Sequence, residues 1–414
     1  MPDTASFDVL VIGAGPAGLA AALAATTAGT SIGIVDENGT PGGQIYRASG
    51  GSPHPKVRGQ IEELECKDVN VMGNTTIIDA PEPGVVLGLT GSSVRRIGYK
   101  KLILATGARE LFIPFPGWTL PNVMGVGGLQ ALVKAGLDVR GKQIVVAGSG
   151  PLLIAVGAYL KDHGAKIVTV AEQASWASLA RFLLHLCPLP QKAMQGATLA
   201  AQVGASYRPG TWVEKAEGKD KLESVKLNKF NVMIPCDYLA CAYGFAPNIE
   251  LPMLLGCDIE GGCVKVDELQ RTSVPNVFCA GEPTGIGGLE LSTVEGLIAG
   301  FTATDWSRAA KGLSKDRQKW QSFAQTLDRT FELRDEIKVL AKPETIVCRC
   351  EDVKLEQLSE CDSAKSAKIH TRCGMGPCQG RICGSATRFL FGWEHGTVRP
   401  PLVPTPLSGL EIKD

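Results

Sequence analysis

Asp8-Val-Leu-Val-Ile12-Gly13-Ala14-Gly15-Pro16-Ala17-Gly18-Leu-Ala-Ala-Ala-Leu-Ala-Ala25 is the stretch from which the rest of the chain is read. Its first five residues form a continuous apolar run, the pattern of a strand buried on both faces of a parallel sheet. A Gly-x-Gly-x-x-Gly turn follows and opens a helix of small residues. Gly13 permits the tight turn, Gly15 lets a pyrophosphate touch the backbone, and Gly18 lets helix and strand close together. The helix N-terminus supplies free N–H groups and partial positive charge for phosphate. Pro16 suits the first helical turn and Gly29 the stop. A second strand, Ser31-Ile-Gly-Ile-Val35, ends at Asp36 and Glu37, where a carboxylate can accept ribose hydroxyls. With strand, glycines, helix and acid in register, this is a dinucleotide-binding βαβ unit.

The unit recurs about 135 residues on. Lys142 to Ala147 reads as a strand, Gly148-Ser149-Gly150 as the turn, Pro151 to His163 as a helix, and Ile167 to Val170 as the returning strand. Two such units predict an α/β scaffold with the second dinucleotide fold inserted in the first. The third glycine position of the second unit is Leu153, which predicts a helix held off its strand and a crowded phosphate site: a vestigial element or, alternatively, a tightly held adenine nucleotide, rather than working NAD(P)H turnover. The domain contains no Cys-x-x-Cys, so a dithiol relay is not expected there. The first glycine motif alone does not choose between FAD and NAD. Three later segments favour FAD: Gly42-Gly43-Gln44, where a chain can wrap the pyrophosphate and ring; Ala105-Thr106-Gly107-Ala108; and Ala280-Gly281-Glu282-Pro-Thr-Gly285, which places an acid where a ribityl chain could be held.

The chain's 414 residues are too long for one core. Its 42 basic and 42 acidic residues balance, so no long-range field draws in nucleic acid or an anionic membrane. No secretory signal and no apolar span of bilayer length are read, which predicts a cytoplasmic protein. The segmentation predicted is a discontinuous FAD-binding domain (1–120 and 240–305), an inserted fold (121–239), a connector of one or two amphipathic helices (306–342), a cysteine module (343–396) and an extended Pro-rich tail (397–414). Of 13 cysteines, Cys187, Cys241 and Cys279 sit in apolar context and read as buried thiols. His54, His163, His185, His370 and His395 fall in no motif and read as structural or surface groups.

Five of the others cluster, the intervening Cys361 set aside: Cys348-Arg-Cys350, then Cys373, Cys378 and Cys383 in a Gly-rich run leading into a helix. In a reducing compartment such clustering points to metal rather than disulfides. Four thiolates can hold Zn²⁺ or a [2Fe-2S] cluster. Cys-x-Cys is tighter than the usual zinc spacing, and a flavin gives a one-electron cluster something to do. Backbone N–H groups at the start of the following helix can hydrogen-bond to sulfur.

Gly42-Gly-Gln-Ile-Tyr-Arg47, Pro114-Phe-Pro-Gly-Trp-Thr-Leu-Pro121, Gly148-Ser-Gly-Pro-Leu-Leu153, Gly281-Glu-Pro-Thr-Gly-Ile-Gly-Gly288, Val347-Cys-Arg-Cys-Glu351 and Thr371-Arg-Cys-Gly-Met-Gly-Pro-Cys-Gln-Gly-Arg381 together resemble one family. It is the alpha subunit of hetero-oligomeric, dye-linked amino-acid dehydrogenases: opine oxidases, hydroxyproline dehydrogenase and a hydrogen cyanide synthase subunit. The C-terminal module is similar to bacterioferritin-associated ferredoxin. The resemblance implies an oxidoreductase acting on CH–NH substrates, whose C–N bond is oxidised at a beta subunit resembling glycine or sarcosine oxidase. Electrons then pass through FAD and [2Fe-2S] on this chain to a quinone or other acceptor. It further implies an FMN at the subunit interface, a small ferredoxin-like third subunit, and a place in the cytoplasm or peripheral to the inner membrane. Some related alpha subunits hold NAD or ATP where others hold FAD. Carried onto this chain, the cofactor contacts are Gly13, Gly15, Pro16, Ala17, Gly18, Asp36, Glu37, Gly43, Gln44, Thr106, Gly107, Gly281 and Glu282. The cluster ligands are Cys348, Cys350, Cys378 and Cys383, with Cys373 spare. Against the family pattern, the Arg47–Asp68 region is short; the three flavin segments also resemble the two-dinucleotide-domain flavoprotein reductases, whose last motif usually has Asp where this chain has Glu282. The alternative reading is a stand-alone NAD(P)H-dependent flavin/iron–sulfur reductase, which Leu153 disfavours.

Overall fold

The computed structural model describes residues 5–47, 52–187, 189–230, 232–394 and 396–407. His395 and the end of the tail from Ser408 lie outside the described residues. The chain divides into two compact units, one of Met1–Arg109, Ala246–Gln325 and Thr397–Asp414, the other of Glu110–Phe245 and Thr326–Gly396.

In the first unit a seven-stranded sheet runs in the order Asn70–Met72, Ile32–Val35, Ala5–Ile12, Ser93–Leu104, Val85–Thr90, Thr75–Glu82, with Val277–Cys279 also paired to Ser93–Leu104. Ala5–Ile12 pairs parallel with both neighbours, which explains its unbroken apolar run. Val9 and Val11 face one core and Leu10 and Ile12 the other, in the period of two that a strand imposes. The Pro16–Ala25 helix buries most of its residues because they are small. The Gly288–Ala303 helix packs on it backbone to backbone. A Cβ on Gly296 would stand 2.1 Å from the Ala17 carbonyl oxygen, and one on Gly300 2.2 Å from that of Ala21. The tail returns to this unit, where Leu402 is buried and its N–H donates to the Ile78 carbonyl at 2.8 Å.

The second unit carries an all-parallel five-stranded sheet, ordered Tyr207–Pro209, Lys166–Glu172, Gln143–Gly148, Tyr238–Ala242, Val123–Gly125. A three-stranded antiparallel sheet, Val213–Glu217, Ser224–Leu227 and Met233–Pro235, accompanies it. Glu110–Leu120, assigned from the sequence to the first domain, clusters with this unit because Ile113, Phe115 and Trp118 bury themselves against Val213, Val225 and Leu227. The end of the connector joins the same core through Ile337 and Leu340 and the cysteine module through Ile382 and Phe389, and the Trp118 indole N–H donates to the Ile346 carbonyl at 2.6 Å.

Two readings are corrected. Cys187 is exposed, unlike Cys241 and Cys279, because the Trp176–His185 helix before it buries none of its residues. The connector holds three helices, Ser307–Gly312, Ser314–Phe331 and Asp335–Lys338, rather than one or two. Leu313 and Leu333-Arg334 break the run.

Candidate functional site

In the first unit the separate loops read from the sequence meet at the start of the Pro16–Ala25 helix. Gly13 adopts φ +103°, and a Cβ there would lie 2.2 Å from the Ala105 carbonyl oxygen, so the turn is pressed against the Ala105-Thr106-Gly107 strand end. A Cβ on Gly18 would lie 1.8 Å from the Gly13 oxygen, and one on Gly43 2.9 Å from the Gly15 Cα. Gly281 reaches the same place from the far end of the sequence: its Cβ would stand 2.8 Å from that of Ala17. Gly15 differs. Its backbone is extended (φ −77°, ψ −175°), and a Cβ would meet nothing closer than the Gly43 Cα at 3.8 Å. The protein itself does not demand glycine there, so the residue leaves a concavity on the surface of the loop. A pyrophosphate approaching the backbone is what such a concavity fits.

Asp36 is buried at the end of Ile32–Val35. It accepts the Ala14 N–H at 2.5 Å, the Asn38 N–H at 2.7 Å and the Asn38 side-chain amide at 2.9 Å. It clamps the glycine loop, and its spare lone pairs remain for ribose hydroxyls. Glu37 is exposed beside it. Thr106 donates its hydroxyl to the Asn248 carbonyl at 2.7 Å and receives the Asn248 amide at 2.8 Å on its own carbonyl, which fixes the strand end. Gln44 is exposed and accepts from Arg47 at 2.7 Å.

Glu282 opens a short turn after Gly281. One carboxylate oxygen accepts the Gly288 N–H at 3.0 Å, while Oε2 is shielded from solvent and has no partner at ordinary hydrogen-bond geometry among the described residues. Burial pushes its pKa up to about 7, against the lowering effect of the Gly288 and Gly287 amides and the nearby Ser292 hydroxyl. An orphaned buried acceptor beside a phosphate cradle fits the hydroxyl of a polyol chain. A cavity of about 340 Å³ opens next to Pro16, with Tyr46, Lys56, Glu290, Thr293 and Trp320 among its walls. The sequence reading missed Glu295, which is buried on the Gly288–Ala303 helix. Its Oε2 accepts the Gly281 N–H at 3.0 Å and the Thr284 hydroxyl at 2.9 Å, and Arg317 lies 3.6 Å from its Oε1. Burial still raises its pKa despite Arg317. An acid in the middle of a helix otherwise made mostly of small and apolar residues was the available signal.

The second glycine loop, Gly148-Ser149-Gly150, repeats the close approach: a Cβ on Gly148 would lie 1.8 Å from the Ala242 oxygen. Leu153 is fully buried among Val146, Val156 and Ala240. Glu172, also fully buried, accepts the Gly150 and Ala174 N–H groups at 2.8 Å each, and burial raises its pKa to about 7.

In the cysteine module Cys348 ends the Ile346–Cys348 strand and Cys383 opens the Cys383–Phe391 helix. Cys348, Cys373 and Cys383 are buried, with their sulfurs all within 4.8 Å of one another. Cys350 and Cys378 lie near this trio, close enough for Cys378 to interact electrostatically with Cys383 and Cys350. Cys373, read from the sequence as spare, therefore sits inside the sulfur group, because the left-handed turn at Arg372 (φ +64°) aims it inward. Nearby backbone amides favour the thiolate forms: those of Gly374 and Glu351 at Cys348, Gly380 and Ile382 at Cys378, and Cys378 at Cys350. Hydrogen bonds from Cys373 and Cys383 hold the Cys348 thiol far below the ordinary range. This donor set fits a thiolate-held metal centre.

The model of the pyridine nucleotide-disulphide oxidoreductase family matches residues 7–296, and the chain belongs to that family. Within it, the chain is 30% identical to an opine oxidase subunit from Rhizobium meliloti, over 98% of this chain and 87% of that one. It is 29% identical to the HcnB subunit of hydrogen cyanide synthase from Pseudomonas protegens, over 99% and 98%. Among solved structures, L-proline dehydrogenase from P. horikoshii aligns with a TM-score of 0.68 at 20% identity, over 98% of this chain and 80% of that one. T. acidophilum thioredoxin reductase aligns at 0.55 and 20%, over 75% and 98%. The fold is that of flavin-binding oxidoreductases. Among the described residues no helix is long and apolar enough to cross a membrane.

Proposed function

We propose that this chain is the electron-transfer subunit of a hetero-oligomeric dehydrogenase that oxidises the C–N bond of an amino acid or opine on a partner flavoprotein. The observation that carries the reading is the pairing, on one polypeptide, of a close-packed glycine cradle with three buried cysteine sulfurs within 4.8 Å of one another, Cys350 and Cys378 standing near them. The full-length likeness to the opine oxidase chain and to HcnB, both named as subunits, supports a partner.

FAD, when bound, accepts electrons in pairs and releases them singly, and a [2Fe-2S] cluster carries them one at a time. Gly13, Gly15 and Gly18, with Pro16 and Ala17 at the helix start, hold the pyrophosphate. Gly43 closes over it, Asp36 and Glu37 take the ribose, and Gly281 and Glu282 hold the ribityl chain beside Thr106-Gly107 and Gln44. Cys348, Cys350, Cys378 and Cys383 ligate the cluster, while Cys373 donates a hydrogen bond to Cys348. The partner is a beta subunit resembling glycine or sarcosine oxidase, with FMN at the interface and a small ferredoxin-like subunit completing the complex. A quinone accepts the electrons from a cytoplasmic or membrane-peripheral location.

The test is co-expression with a glycine- or sarcosine-oxidase-like subunit from the same host and a panel of opines, proline and hydroxyprolines, followed by dye reduction. Turnover requires both chains. Turnover of an amine by this chain alone contradicts the proposal.

A further inference from the structure

We infer that Ser149 and Gln173 determine which electron donor this chain accepts, by holding its own Phe331–Arg334 segment over the second glycine loop and so excluding nicotinamide nucleotides. The inference rests on the reading of the chain as a subunit fed by a partner, and it names the side chains that enforce that route.

The second loop keeps the backbone of a phosphate cradle. Gly148 and Gly150 hold φ +142° and +105°, and a Cβ on Gly150 would meet nothing within 4 Å. What fills the loop's hydrogen-bonding capacity is protein. The Ser149 hydroxyl donates to the Phe331 carbonyl at 2.8 Å. The Gln173 amide donates to Ser149 Oγ at 2.9 Å, to the Glu332 carbonyl at 3.1 Å and to the Phe331 carbonyl at 3.4 Å. Its oxygen accepts the Arg334 N–H at 3.3 Å. Two backbone carbonyl oxygens thus receive the donors that a phosphate's oxygens would otherwise receive.

The segment is also anchored on both sides. The Phe331 ring meets Phe182 edge-on at 5.6 Å, and the Arg334 guanidinium lies 5.1 Å from the centre of the Trp212 ring. Gln173 is completely buried, and so is Glu172. Glu172 clamps the Gly150 N–H much as Asp36 clamps that of Ala14, so what sets the second loop apart is the Phe331–Arg334 segment bonded to it. A dinucleotide entering here must first break a set of buried hydrogen bonds and strand their partners. The bar to nicotinamide is thus the returning segment, whose lock is Ser149 and Gln173, rather than Leu153, which is turned into the core.

Hydrogen–deuterium exchange on the full, FAD-loaded chain tests this, with and without millimolar NADH or NADPH. Neither nucleotide protects residues 148–153 of the wild type or bleaches its flavin. In Gln173→Ala, exchange at the Arg334 amide quickens about tenfold, as loss of one buried hydrogen bond predicts. Ser149→Ala, a smaller change, quickens exchange across Phe331–Arg334 by a few-fold if the first variant does not fold. Saturable protection of 148–153 in the wild type overturns the inference, and so does unchanged exchange at 331–334 in a folded variant. Partner-dependent amine turnover is scored separately. Its absence removes the proposed function while leaving the exchange result to stand or fall by itself.

Discussion

Gly15→Ala separates what the fold needs from what the cofactor needs. The backbone at Gly15 is extended, a conformation any residue adopts, and a methyl there touches only the Gly43 Cα at 3.8 Å, an ordinary contact. Without ligand the variant is as stable as wild type, or more so by about 0.5 kcal/mol, because alanine restricts the unfolded chain. With ligand the outcome reverses. The added Cβ projects roughly 1.5 Å into the space where the pyrophosphate meets the backbone, and overpacking of that kind costs about 2 kcal/mol. That corresponds to about a thirtyfold rise in the dissociation constant for FAD. Flavin fluorescence titration of the apoprotein measures the affinity, and thermal melts followed by circular dichroism measure the apo fold. Gly18→Ala is the contrasting control: its Cβ would stand 1.8 Å from the Gly13 oxygen, so it damages the fold itself. Wild-type affinity for FAD in Gly15→Ala, or a loss of apo stability, would refute the assignment of this loop.

Glu172 gives a pH signature. Burial raises its folded pKa to about 7, above its unfolded value, so the stability it contributes is fully present at low pH and is lost as pH climbs through about 7. The loss amounts to at most ~3 kcal/mol and is absent in Glu172→Gln, whose urea midpoint should vary less between pH 5.5 and 8; parallel curves would exclude the effect. Cys383→Ala should purify with little iron and Cys373→Ala with near wild-type iron and sulfide; the reverse pattern moves Cys373 into the ligand set. Leu402→Ala opens a cavity where the tail enters the first core and should cost about 3 kcal/mol. An unchanged denaturation midpoint would show that the tail does not brace that core.

The sequence made the first nucleotide cradle legible because its requirements are local: a strand's apolar run, three glycines and an acid lie within about 30 residues. The Cys348–Cys350 pair and the Cys378–Cys383 pair were legible by spacing for the same reason. Contacts across long separations were not. Ser149 and Phe331 are 182 positions apart, so the hydrogen bond between them had no local sign. Cys373 was set aside by motif, whereas the left-handed residue before it brings its sulfur inward. Cys187 failed for a related reason: apolar neighbours signal burial only where a partner surface covers them, and Leu183 and Leu184 are themselves exposed.

Reductive titration of the purified chain with dithionite, followed by absorbance and electron paramagnetic resonance, bears most directly on the claim that a flavin and an iron–sulfur cluster share this polypeptide. The expected result is uptake of about three electrons per chain, two at the flavin and one at the cluster, with a paramagnetic signal that appears only on reduction. A colourless chain that takes up none, or a yellow one that takes up two and contains zinc in place of iron, would contradict it.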